Sequence, residues 1–98
     1  MAKRIIWSLS AQQDLDSILN YLLLNWDAKV LMNFIELVET ITFQISQHPK
    51  QFPVINKQNK IRKCVLTKHN TLYYRERKES IDILRIFDNR QDPKNLRF

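Results

Sequence analysis

Two apolar stripes of helical period follow one another with a break of only a few residues, and nothing else constrains the fold of this chain as strongly. Ala11, Leu15, Ile18 and Leu22 recur at helical spacing, with Leu19 and Trp26 flanking them. Leu31, Phe34, Val38, Ile41 and Ile45 repeat the pattern. The intervening "NWDA" has room only for a tight turn, so the two helices form an antiparallel hairpin. Ser10 followed by Gln13 reads as a capping box, which starts the first helix at Ala11 and carries it to Asn25. Asp27 caps the second, from Ala28 to Gln47.

Such a hairpin must bury its stripes, and the remainder of the chain supplies a sheet to receive them. Pro49 and Pro53 end the helical region, and "QFPVINKQNK" reads as a loop. Three strand-like runs follow, Ile61 to Thr67, Thr71 to Arg77 and Ser80 to Asp88. The breaks "KHN" and "KES" have hairpin length, so these runs form an antiparallel meander. Lys3 to Ser8 predicts one further short strand, whose place in the sheet the residues leave open. The expected architecture is a two-layer α+β domain over residues 1–98, in the order β-α-α-β-β-β. The chain has no glycine, so Asn70 is the residue expected to take a positive φ in the first sheet turn.

The charge is divided between the two halves. Residues 1–49 carry three cations against five anions, a net of −2. Residues 50–98 carry thirteen cations against five anions, a net of +8. A field this concentrated favours a polyanionic partner, either nucleic acid or an acidic protein. No stretch reaches the roughly 20 apolar residues that a membrane span needs. "MAKRIIWSLS" lacks the apolar run and small-residue cleavage site of a signal peptide. Cys64 is the single cysteine and fits a reducing cytoplasm.

Strict alternation along the strands puts Arg62 on one face of the first meander strand and Lys63 on the other. Arg75 and Arg85 then lie mid-strand on neighbouring strands, where they can share a face with Lys63 or Arg62. Arg90 and Lys94 extend that patch into the C-terminal tail, and arginine there can grip phosphate or carboxylate in a bidentate fork. A structural role competes: Asp88 and Asp92 are placed to pair with Arg90 and Arg85 and hold the tail down. His48, His69 and Cys64 show no metal-ligand spacing, so neither a metal nor another cofactor is expected. His69 and Tyr73 sit close enough in sequence to suggest proton transfer, against the simpler reading of His69 as a turn residue. Trp7 and Trp26 read as core anchors. "YLLLNW" is more apolar than one buried face requires, so either Leu23 and Leu24 meet a partner chain or the core stripe is broad.

The segments "SAQQDLDSILNYLLLNW", "FIELVETITFQISQHPKQFP" and "IRKCVLTKHNTLYYRERKESIDILRIFDNRQDP" together resemble the toxins of the RelE/ParE superfamily, over nearly the whole chain. The resemblance implies the toxin half of a type II toxin–antitoxin module, cytoplasmic and neutralised by a cognate acidic antitoxin that wraps it. Both a homodimer and a toxin–antitoxin hetero-oligomer are open. One branch of the superfamily enters the ribosome and cleaves messenger RNA, and the other inhibits DNA gyrase. For cleavage, Arg90 falls where that branch carries a catalytic arginine, with His69 and Tyr73 as candidate helpers. Its second arginine falls near Thr71 and its tail tyrosine near Leu96, neither of which supplies the chemistry. The helix pattern and the "NRQDP" ending are closer to ParE. The reading is therefore a gyrase inhibitor whose target-binding cations are Arg62, Lys63, Arg75, Arg85, Arg90 and Lys94. The alternatives are a ribosome-dependent endoribonuclease and a non-toxic nucleic-acid-binding module.

Overall fold

A computed structural model describes residues 2–98. The elements are β1 (Arg4–Trp7), α1 (Leu9–Asn25), α2 (Ala28–Gln47), β2 (Val54–Asn56), β3 (Ile61–Val65), β4 (Asn70–Glu76) and β5 (Ser80–Asp88). A single 3-10 turn at Pro93–Asn95 leads into the tail. The five strands form one mixed sheet in the order β1-β5-β4-β3-β2. β1 runs parallel to β5, with Arg4 beside Ser80 and Trp7 beside Ile83, and this answers where the first strand belongs.

The hairpin lies on one face of the sheet. Phe34, Val38 and Ile45 of α2 and Ala11 of α1 pack with Leu72, Tyr74, Ile81, Ile83 and Ile86 from the sheet. Tyr74 is fully buried, and its hydroxyl donates to the Pro49 carbonyl at 2.6 Å. That bond ties the loop after α2 to the middle of the sheet and satisfies a phenol that burial would otherwise penalise. Burial pushes the Tyr74 pKa up to about 12.

Several local expectations are corrected. Ser8, not Ser10, caps α1: its hydroxyl accepts from the Ala11 N–H at 3.0 Å and donates to the Leu84 carbonyl at 2.9 Å. Ser8 also donates its backbone N–H to Ile83, so the chain passes from ladder to helix without a spacer and the Ser10–Gln13 box has no terminus to cap. Part of the supposed loop before Ile61 is an edge strand, β2, held by β3. The positive φ falls at Lys60 (56°), the last residue of the β2–β3 turn, while Asn70 opens β4 in extended form. Trp26 is exposed and anchors no core, because α1 has ended there and the chain is turning. Asp27 caps α2 as expected, accepting from the Val30 N–H at 3.0 Å.

The alternation of β5 also breaks. Tyr73 pairs with Arg85, but the next residue, Tyr74, pairs with Ile83, leaving Leu84 as a bulge. Ile81 and Ile83 therefore face the helices together with Ile86, whereas Phe87 joins Ile61 and Tyr73 in a second cluster on the opposite face.

Candidate functional site

The bulge and the shortness of β1 create the feature that organises the site. β1 covers β5 only as far as Ile83, so the second half of β5 has a free edge. α1 closes that edge with side chains. Asp14 accepts from the Ile86 N–H at 3.0 Å, and from Arg85 at Nε (2.7 Å) and Nη2 (3.1 Å). The remaining terminal nitrogen of Arg85, Nη1, donates to the Arg97 carbonyl at 3.0 Å. One guanidinium thus joins the first helix, the last strand and the tail. The hydrogen bonds it donates to Asp14 hold the Arg85 pKa above its ordinary value. Asp14 was missed as a functional residue by inspection of the sequence, although it lies on the apolar stripe of α1, one helical step from both Ala11 and Ile18.

Beside this pair, α1, α2 and the end of β5 line a groove of about 770 Å³. Its floor is apolar: Ile18 and Leu22 of α1, Trp26 just beyond its end, Phe34 and Leu37 of α2, and Ile86 of β5. Its rim is polar and includes Tyr21, His69, Arg85, Asp88 and Arg90. The leucine-rich "YLLLNW" segment is thus explained in part, since Tyr21, Leu22 and Trp26 line the groove while Leu23 and Leu24 point away, exposed.

The sequence-predicted cations do not form one patch. Arg62 faces the hairpin side, where its Nη1 donates to the carbonyls of Phe52 (2.6 Å) and Lys50 (3.2 Å) and fastens the loop. Lys63 and Arg75 lie on the opposite, open face, next to Tyr73 and Ile61 in the register. Arg75 shares Asp82 with Arg77. Arg85 crosses the free edge as described. Arg90, just past β5 on the groove rim, forms a bidentate pair with Asp88 through Nε (3.0 Å) and Nη2 (2.8 Å). That pair depresses the Asp88 carboxyl below its ordinary range. Lys94 is exposed in the 3-10 turn, capped by Asp92. Of the proposed tail pairs, Asp88–Arg90 forms, whereas Arg85 chooses Asp14 over Asp92.

His69 and Arg90 border the same groove, but Tyr73 does not. Tyr73 is buried on the open face under the tail, with the Phe98 ring 5.3 Å away at 66°. Its burial raises the phenol pKa. Cys64 is buried beside Leu72 in the ladder, where burial pushes the thiol up and keeps it protonated. Among the described residues no cluster of three or more His, Cys, Asp or Glu is arranged to hold a metal ion, and no helix is long and apolar enough to cross a membrane.

A helical hairpin laid over one face of a small mixed sheet is a fold shared with solved structures. The chain is similar to the chromosomal ParDE toxin–antitoxin system of P. aeruginosa (TM-score 0.73, 18% identity, 89% of this chain and 96% of that one). It is similar also to a YoeB/ParE toxin of Agrobacterium tumefaciens (TM-score 0.62, 13% identity, 87% and 96% covered). A conserved hypothetical protein from Helicobacter pylori has the same fold (TM-score 0.56, 23% identity, 88% and 93% covered). No curated protein matches at a significant level. The model of the ParE toxin of the type II toxin–antitoxin system, parDE, matches residues 5–93, and the chain belongs to that family.

Proposed function

We propose that this chain is a cytoplasmic growth-arresting toxin that acts by binding DNA gyrase without cleaving nucleic acid, and that a cognate acidic antitoxin holds it inactive. One observation carries the choice of binding over cleavage. Phosphodiester cleavage by a 2′-hydroxyl needs a proton-transfer group and a cation at one phosphate. Here Tyr73 is sealed under Phe98 on the open face, away from Arg90 at the groove, which leaves His69 alone of the two proton-transfer candidates beside that cation. Arg90 is moreover engaged by Asp88 along the Nε–Nη2 edge of its guanidinium.

The groove supports the antitoxin half of the reading. Its apolar floor fits one face of an amphipathic segment, and its rim offers Arg85 and Arg90 to carboxylates flanking that face. An acidic segment is steered there by the +8 excess of residues 50–98. The target would engage the cations left outside the groove, Lys63 and Arg75 on the open face and Lys94 in the tail, with Arg62 acting through the loop it holds.

Supercoiling by purified gyrase tests the proposal: the chain should inhibit it, and addition of the antitoxin encoded beside it should restore it. Gyrase untouched at large molar excess refutes the target. The second reading, a ribosome-dependent endoribonuclease, draws on the shared position of His69 and Arg90. It requires codon-linked cuts in translated messages by primer extension, and gyrase inhibition without such cuts removes it.

A further inference from the structure

The C-terminal tail is held to the sheet in an unusual way. After the 3-10 turn the chain folds back across the open face. Leu96 packs against the cluster of Ile61, Tyr73 and Phe87, and Phe98 sits edge-on to Tyr73 at 5.3 Å. Among the described residues, the only hydrogen bond from Arg97 or Phe98 to the sheet is the one their segment accepts from Arg85, at the Arg97 carbonyl. Phe98 is itself 57% exposed, so the tail lies on the surface and is not part of the interior. Beneath it, Ile61, Tyr73 and Phe87 are almost fully buried.

The donor of that single bond is not free to serve the tail alone. Two further nitrogens of Arg85 are committed to Asp14, a residue of α1 that lines the groove on the other side of β5. A guanidinium is one rigid plane, so its donors move together. Drawing the fork toward a new carboxylate in the groove, or removing Asp14 from it, tilts Nη1 away from Arg97.

We infer that residues 96–98 form a strap over the open sheet face, latched by Arg85, and that occupancy of the groove is coupled to opening of the strap through the Asp14–Arg85 pair. A ligand that presents a carboxylate to Arg85 is the kind that works the latch. Opening uncovers Tyr73 and Phe87 with Lys63 and Arg75 beside them, a surface with an aromatic centre and a cationic border. The use of that surface for a target rests on the function proposed above; the latch itself does not.

Methyl and aromatic NMR of the full chain measures the latch directly. Phe98→Ala supplies the signals of a weakened strap. Arg85→Lys keeps the charge but replaces the planar fork, and a single ammonium on a flexible stem cannot reproduce the two-sided grip. The Leu96 methyl and Tyr73 ring signals of Arg85→Lys should move toward their Phe98→Ala positions, while the methyl of Ile45, buried on the core side of α2, stays in place and reports an intact fold. Leu96 and Tyr73 signals that hold their wild-type positions with Ile45 unchanged overturn the inference. Should Arg85→Lys fail to fold, Asp14→Asn is read in the same way and with the same two outcomes. A negative gyrase assay leaves these signals unaffected, so failure of the strap and failure of the proposed target are told apart.

Discussion

Asp14→Ala tests how the free half of β5 is closed. The substitution removes three hydrogen bonds, two from Arg85 and one from the Ile86 N–H. The Asp14 and Arg85 side chains are only 17% and 18% exposed, so water replaces the lost carboxylate incompletely. Hydrogen bonds to a charged group contribute about 1.5–3 kcal/mol each, and a half-buried guanidinium left without its partner adds a desolvation cost. Some of this returns as Arg85 turns to solvent. A net loss of about 2–4 kcal/mol follows, a large share of the stability of a domain this small. Urea unfolding followed by circular dichroism measures it, with the slope unchanged and the midpoint lowered. In thermal unfolding the same loss lowers Tm by roughly 10–25 °C. A destabilisation below about 0.5 kcal/mol, the size of an ordinary surface substitution, would refute the claim that this carboxylate seals the strand edge.

Other consequences are equally open to measurement. Tyr74→Phe leaves the Pro49 carbonyl unpaired and should cost about 1–2 kcal/mol by denaturant titration. Because the folded Tyr74 pKa is raised from 10 to about 12, its contribution is complete below pH 10 and is lost as pH climbs toward 12; wild type should weaken more steeply across that interval than Tyr74→Phe. Asp88 has the opposite sign: its depressed carboxyl stabilises above its ordinary pKa of 3.8, and the benefit disappears as pH falls through the lower folded value. The stability difference between wild type and Arg90→Ala should therefore vanish in acid and be constant near neutrality. Arg90→Ala should also retain its fold, since the arginine is exposed, while reducing growth arrest in cells; undiminished arrest would remove Arg90 from the site.

The helices were legible because burial writes itself into the sequence at a period of 3.6 residues, and both stripes ended up where their spacing put them. The meander was legible for the same reason at a period of two, but only until Leu84. A bulge there adds one residue without any glycine or proline to announce it, and so Phe87 changes face. β2 was hidden because three residues are too few to show alternation, and Pro53 beside them speaks for a loop. The site was less readable than the fold. Arg85 and Asp14 are 71 residues apart, and their meeting depends on how far β1 extends along β5. Local pattern carries no information about that. Among the cations singled out from the sequence, Arg62 spends its donors on main-chain carbonyls, a role composition cannot distinguish from ligand binding.

The parallel pairing of β1 with β5 has a consequence for how the protein comes into being. The strand made first must wait for the strand made last, because Arg4 finds its partner at Ser80 and the core beneath α1 is completed by Ile81, Ile83 and Ile86. A nascent chain whose C-terminal segment is still inside the translating particle has a hairpin with nothing to rest on and a sheet lacking its second strand. Contacts this distant in sequence also form slowly. Closure of the fold therefore waits on β5, however early β1 and the hairpin are made.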